Sequence, residues 1–183
     1  MKNIILDLDN TIICAVEYST YKKNNFKPID DTLLSKNMDT SYKVYQRPHL
    51  ENFLDFIFKN FNVSVFTAAS KDYALFIVKN FIINGHTERN LDFIFHSYHV
   101  DLSEDKYNSP KDLRLLWKIL PSTFTPENTV IVDDLPDVKK ANKQNCINIK
   151  AFDVYNEETD KIIPSSVNDK ELIHTINVLQ LYV

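Results

Sequence analysis

The chain contains a single glycine, Gly85, in 183 residues. Neither a Walker loop nor a dinucleotide fingerprint can be written with one glycine. Any phosphate handled here must be held by side chains, helix ends and a metal. Cysteine is almost as scarce. Cys14 and Cys146 stand far apart and form no metal-type spacing, so two buried free thiols in a reducing, intracellular compartment are expected. Positive charge is not in excess: 21 Lys and Arg face 25 Asp and Glu, a formal net charge of -4. That leaves no global basic footprint for nucleic acid, and the pairs Lys22-Lys23 and Lys139-Lys140 read as solvated faces. No apolar run is long enough to span a bilayer, and Met1–Leu6 is too short for a signal peptide. Direct nucleic-acid and membrane partners are therefore not expected.

Hydrophobic residues make up 44 % of the chain and charged residues 25 %, ordinary values for a soluble globular protein. The length fits one domain over 1–183 with a proper core. Short apolar runs alternate with amphipathic stretches, the pattern of an α/β protein whose central parallel sheet is covered on both faces. The strand candidates are Ile4–Leu6, Val63–Phe66, Phe93–Phe95, Val130–Val132 and Ile147–Ile149. One helix is expected after Arg47-Pro48, with Pro48 in its first turn and Leu50, Phe53, Leu54, Ile57, Phe58 and Phe61 on one face. Another begins near Ser70, a plausible N-cap. A third runs from about Lys111, a short one covers Pro136–Asn145, and the last lies within Asp169–Gln180. The stretch Ile13–Gln46 is polar, tyrosine-rich and weakly periodic. It is long for a connection in a compact domain, which suggests a functional flap.

Chemistry gathers where the strands end. In Ile4-Ile5-Leu6-Asp7-Leu8-Asp9-Asn10-Thr11 an apolar run delivers two aspartates two residues apart. On extended backbone those carboxylates point the same way. Such a pair can bind a hard cation and supply an oxygen nucleophile, or it can be a turn with solvated acids. The second strand ends in Thr67-Ala68-Ala69-Ser70 and the fourth in Asp133-Asp134, with Lys111 lying between them in sequence. Each also has a plain structural reading. Ser70 caps the next helix, Lys111 is a surface lysine, and Asp133-Asp134 is a capped turn. His96 and His99 read as a strand end and the loop after it rather than as a metal pair. The whole set is harder to dismiss. Open parallel sheets bind ligands at the carboxyl ends of their strands. Carboxylates converging there repel one another unless a cation or a pKa shift relieves them. A divalent metal with oxygen ligands is the simplest remedy, and Mg²⁺ suits few carboxylates with phosphate and water.

The motifs Asp7-Leu8-Asp9-Asn10-Thr11, Thr67, Lys111 and Asp133-Asp134 resemble, in order and spacing, the four motifs of the haloacid dehalogenase superfamily of phosphotransferases. Within it the chain is most similar to the small phosphatases of the RNA polymerase II C-terminal domain, also called NLI-interacting-factor-like. Arg47-Pro48-His49-Leu50, Phe66 through Ala74, Lys111-Asp112-Leu113 and Ile131 through Pro136 carry that likeness, which covers residues 4 to about 150. Three features depart from the group: Asp133-Asp134 replaces Asp-Asn, no arginine stands around Phe95–His99, and Pro110-Lys111-Asp112 replaces a valine-lysine-aspartate run.

The resemblance implies a three-layer Rossmann-like fold with a small flap in place of a large cap. It implies a Mg²⁺-dependent phosphatase acting on a phosphoprotein or phosphopeptide. Asp7 would be the nucleophile and Asp9 the general acid and base. Thr67, Ala68 and Lys111 would hold the phosphate, with Lys111 also neutralising charge. Asp7, the Asp9 backbone carbonyl and Asp134 would hold Mg²⁺, with Asp133 close by. Asp9 itself favours phosphoryl transfer over dehalogenation, because a leaving halide needs no proton. A small-molecule or nucleotide phosphatase is a second reading, and a non-catalytic binding scaffold a third. The intact set of motif residues argues against the scaffold.

Overall fold

The computed structural model describes residues 2–183. In chain order the strands are β1 (Lys2–Leu6), β2 (Ile13–Glu17), β3 (Ser35–Met38), β4 (Tyr42–Gln46), β5 (Phe61–Phe66), β6 (Leu91–Phe95), β7 (Thr129–Asp133), β8 (Cys146–Asn148), β9 (Tyr155–Asn156) and β10 (Lys161–Ile162). The helices are α1 (Tyr18–Lys23), α2 (Lys27–Asp30), α3 (Leu50–Asn60), α4 (Lys71–Ile77), α5 (Ser97–Tyr107), α6 (Arg114–Ile119), α7 (Pro136–Ala141) and α8 (Glu171–Leu179).

Five strands form a parallel sheet in the order β6-β5-β1-β7-β8, with Leu6 level with Val65 on one side and Val132 on the other. Alternation along each strand sends side chains to opposite faces. Ile4, Leu6, Val63, Val65, Val130 and Val132 pack on one face with Phe53, Leu54 and Ile57 of α3, Ala74 and Ile77 of α4, and Leu172 and Leu179 of α8. Ile5, Phe66 and Ile131 pack on the other face with Leu115, Leu116 and Val138. The protein is thus the expected three-layer α/β fold. Because β1 is central and the chain leaves it to pair on both sides, its carboxyl end is the switch point of the sheet, where ligands bind in such folds.

Residues 13–46, expected from the sequence as a functional flap, carry regular structure. β2, β4 and β3 form an antiparallel sheet, and Cys14, Val16, Phe26, Ile29, Leu33 and Tyr45 close a separate apolar cluster with Phe152 and Val154. Tyr21 and Tyr45 both donate to the Asp30 carboxylate at 2.9 Å, which fixes α2 against this layer.

Several boundaries differ from the sequence reading. α3 starts at Leu50, after His49 in the left-handed region (φ 67°), so Pro48 lies in the preceding turn. Lys111 also has a positive φ (46°) and precedes α6, which starts at Arg114. α7 stops at Ala141. His99 lies in the first turn of α5, a helix absent from the sequence expectations, and not in a loop. α4 begins after Ser70 as expected, with the Ser70 hydroxyl accepting from Tyr73 N–H at 3.4 Å, and it continues as a π-helical turn over Val78–Ile83. Cys14 and Cys146 are buried free thiols, and burial pushes each up to about 12. Among the described residues no helix is long and apolar enough to cross a membrane.

Candidate active site

Three adjacent strand ends build the site. β1 stops at Leu6, and Asp7 N–H still reaches Val132 O of β7 at 3.0 Å, so Asp7 is held as the next rung of the sheet. The chain then turns through Asn10 (φ 58°), whose N–H donates to Ile13 O at 2.8 Å. Thr11 is fully buried, and its hydroxyl donates to Asp7 Oδ2 at 2.9 Å and lies 3.2 Å from Asp134 Oδ1.

β7 ends in Asp133, and the Asp133 and Asp134 carbonyls each accept from the Asn148 amide at 3.0 Å. Asp133 is fully buried. Its Oδ1 accepts from Leu135 N–H at 2.9 Å and its Oδ2 from Lys111 Nζ at 2.7 Å. Lys111 Nζ also donates to Asp7 Oδ1 at 2.5 Å. The turn that presents Lys111 is tied from two sides. The Asn142 amide donates to Lys111 O, and Ser103 of α5 accepts from Asp112 N–H while donating to Ser109 O.

Charge at this rim is crowded. Burial pulls the Lys111 ammonium down, but the Asp7 and Asp133 charges outweigh it and hold the lysine above its ordinary value. Burial, reinforced by Asp7, raises both Asp133 and Asp134 above the usual carboxylate range. Asp9 is pushed up to about 6, chiefly by burial, with its hydrogen bond from Tyr73 acting in the opposite sense and the Asp7 charge adding to the rise. Tyr73 Oη donates to Asp9 Oδ1 at 2.5 Å.

Asp7, Asp133 and Asp134 each offer a carboxylate oxygen, all within 4.8 Å of one another. An all-oxygen, anionic donor set of this size fits a hard divalent cation. Asp7 and Asp133 each have both oxygens engaged by protein donors, so Asp134, touched only at Oδ1 by Thr11, is the freest member. The Asp9 carboxyl is not part of this trio.

On the other side of β1, β5 ends at Phe66, one residue past the Val65 that stands level with Leu6. Thr67 is buried, and its Oγ1 accepts from Ala69 N–H at 3.1 Å, which leaves the hydroxyl proton available to a ligand. Ala68 is exposed at the tip of the same loop, and its N–H has no partner among the described residues. The expected site residues Asp7, Asp9, Thr11, Thr67, Ala68, Lys111, Asp133 and Asp134 therefore lie at this one edge, just past β1 and β5, at the end of β7 or on the Lys111 turn. Tyr73, Asn142, Ser103 and Asn148 were not singled out. Nothing about a lone Tyr, Ser or Asn in a sequence marks it as a clamp.

A cleft of about 410 Å³ opens beside Asp9, walled by Ala15, Met38 and Tyr42 of the antiparallel layer and by Ala69, Ser70 and Tyr73. A larger hollow of about 800 Å³ lies past Asn10, lined by Glu17, Asp153, Glu157 and Glu158. It holds none of the carboxylate–lysine constellation.

The family model for NLI interacting factor-like phosphatases matches residues 2–182. CTD phosphatase-like protein 355R of Invertebrate iridescent virus 6 is 40 % identical over 184 residues, covering 98 % of this chain and 97 % of the relative. Its namesake in Invertebrate iridescent virus 3 is 36 % identical over 190 residues, with 99 % and 96 % covered. Fcp1, a solved structure described as an essential RNA polymerase II CTD phosphatase, superposes with a TM-score of 0.70 at 21 % identity. That likeness covers 98 % of this chain and 61 % of the Fcp1 chain, and it speaks for the fold alone.

Proposed function

The chain belongs to the NLI interacting factor-like phosphatase family, and from that membership we propose that it hydrolyses phosphate monoesters through an aspartyl-phosphate on Asp7. The substrate class proposed is phosphoserine or phosphothreonine in a protein such as the polymerase II C-terminal domain. One observation carries the reading: Asp7, just past the end of the central strand, has one oxygen bound by a buried lysine and a carboxylate oxygen within 4.8 Å of those of two further aspartates.

Asp7 attacks phosphorus, and the P–O bond to the substrate oxygen breaks. Asp9 gives its proton to that oxygen. It later takes a proton from the water that cleaves the aspartyl-phosphate and frees Asp7. A carboxyl held near 6 is suited to both duties, and general acid–base help of this kind is typically worth ~10² to 10⁴ in rate. The Thr67 hydroxyl and Ala68 N–H donate to phosphate oxygens, and Lys111 offsets charge on the nucleophile and the transferring group. Asp7, the Asp9 carbonyl and Asp134 would hold Mg²⁺, with Asp133 beside them against Lys111. When bound, that ion supplies electrostatic stabilisation of the phosphoryl oxygens.

The cleft beside Asp9 is open and no large cap covers it among the described residues, which favours an extended substrate over an enclosed metabolite. The deciding assay compares kcat/KM on phosphoserine peptides, p-nitrophenyl phosphate and nucleotides with Mg²⁺ present. Preference for the peptides is the expected result. Preference for nucleotides would move the protein to the small-molecule reading, and no turnover of any would remove the enzyme.

A further inference from the structure

We propose that Tyr73 is a positioning residue for the Asp9 carboxyl, aiming the oxygen that exchanges a proton with the leaving group; this rests on the role proposed for Asp9. The ring of Tyr73 is fixed by its surroundings. It is 8 % exposed, belongs to the main core cluster and meets Tyr42 edge-on at 5.8 Å between ring centres. Its backbone N–H is tied to the Ser70 cap. A phenylalanine would make the same apolar contacts. Burying a hydroxyl costs free energy unless it finds a partner, so packing alone does not account for the oxygen. That oxygen donates to Asp9 Oδ1 at 2.5 Å, from a residue 64 positions away in the chain.

The consequence is a division of labour between the two carboxylate oxygens. With Oδ1 occupied by a donor, a proton on Asp9 resides on Oδ2. In the first half-reaction Oδ2–H protonates the substrate oxygen as the P–O bond breaks, and the bonding pair stays with that oxygen. Asp9 is left as a carboxylate whose Oδ1 is still held. In the second half-reaction water loses a proton to Oδ2 as its oxygen attacks phosphorus, and the Asp7–phosphate bond breaks. Tyr73 gains and loses nothing in either step. It also shares with Asp9 the wall of the 410 Å³ cleft, the space open to the leaving group on that side of the site.

The test is kcat/KM for wild type, Tyr73→Phe and Asp9→Asn on p-nitrophenyl phosphate, phenyl phosphate and a phosphoserine peptide. The first has a leaving oxygen that hardly needs a proton, while the other two need one increasingly. Tyr73→Phe is expected to lose ~10-fold or more on the peptide, a fraction of the full general-acid effect, and to stay within about twofold on p-nitrophenyl phosphate. Asp9→Asn should show the same trend more steeply. The melting-temperature rise with Mg²⁺ and beryllofluoride should be the same for Tyr73→Phe as for wild type, because nucleophile and ion ligands are untouched. An equal loss on all three substrates, or none, overturns the positioning role while leaving the phosphatase. A wild type inert on all three overturns the phosphatase reading and this role with it.

Discussion

Lys111 Nζ donates to Asp7 Oδ1 at 2.5 Å across 104 residues of chain, with Asp133 Oδ2 at 2.7 Å on its other side. One buried cation thus serves two buried carboxylates, and removing it strands both. Lys111→Met should abolish turnover and lower the unfolding free energy of the metal-free protein by about 3–5 kcal/mol, the usual cost of breaking a buried pair by deleting one partner. Urea denaturation should show a smaller loss at acid pH, where the carboxylates can neutralise themselves by binding protons.

Asp7→Asn keeps the shape of the side chain and, through its one oxygen, the contact with Lys111, but it gives up the acceptor for Thr11 and removes the attacking charge. Turnover should vanish while circular dichroism and the melting transition remain those of a folded protein. Trapping with labelled substrate and mass spectrometry should find a phosphorylated peptide containing Asp7 in the wild type and none in the variant. Normal turnover by Asp7→Asn would exclude Asp7 as nucleophile.

The parallel sheet was legible because strands buried on both faces read as near-continuous apolar runs: Ile4–Leu6 and Val130–Val132 are unbroken, and Val63–Phe66 is interrupted only by the buried Ser64. The polar residues that close those runs form the candidate site, so Asp7, Thr67 and Asp133 were legible with them. The antiparallel layer was not. Cys14 and Val16 of β2 and Val44 and Tyr45 of β4 are buried with little alternation to mark a half-exposed sheet. α5 was missed because only Val100 and Ser103 are buried in its eleven residues, too few to trace a stripe. The hold of Asn142 on the Lys111 turn, like the Tyr73–Asp9 bond, is made by tertiary proximity and leaves no periodic signal.

In the proposed mechanism a divalent cation relieves the three carboxylates that lie within 4.8 Å of one another. Dialysis against EDTA should stop hydrolysis and Mg²⁺ should restore it. Beryllofluoride with Mg²⁺, at about 100 times its dissociation constant, should stabilise the native state by ~2.7 kcal/mol, or roughly 5–10 °C in melting temperature for a chain of this size. No shift would count against an aspartyl-phosphate site.

The burial that raises Asp9 has a signed consequence for stability. Its carboxyl titrates near 6 in the folded protein against an ordinary value of 3.8. Below the lower value both states hold the proton and nothing is lost. As pH rises through the upper value the folded state must carry a buried charge, so its stability falls. In EDTA, Asp9→Asn should therefore gain on wild type as pH rises from about 4 to 7. Parallel melting curves for the two proteins over that range would show that Asp9 is not desolvated.

Arg47 is fully buried, and its guanidinium draws three segments together. Nε and Nη2 donate to the two Asp169 oxygens at 2.8 and 3.0 Å, Nη2 also to Lys150 O at 2.7 Å, and Nη1 to Thr11 O at 2.8 Å. The first-motif loop, the chain after β8 and the approach to α8 are thereby fixed to the residue that precedes α3. Only a planar fork can reach all of these at once, and an ammonium is a single point with three donors. Arg47→Lys should accordingly lower the urea midpoint although charge is conserved. Arg47→Ala should cost more, about 3–5 kcal/mol, because Asp169 and the Thr11 and Lys150 carbonyls lose their donor inside the protein. Below their unfolding transitions both variants should also turn over more slowly, since the Asn10–Thr11 backbone that orients Asp7 is no longer held. If Arg47→Lys unfolds at the wild-type midpoint, the fork is dispensable and the loop is fixed by the sheet alone.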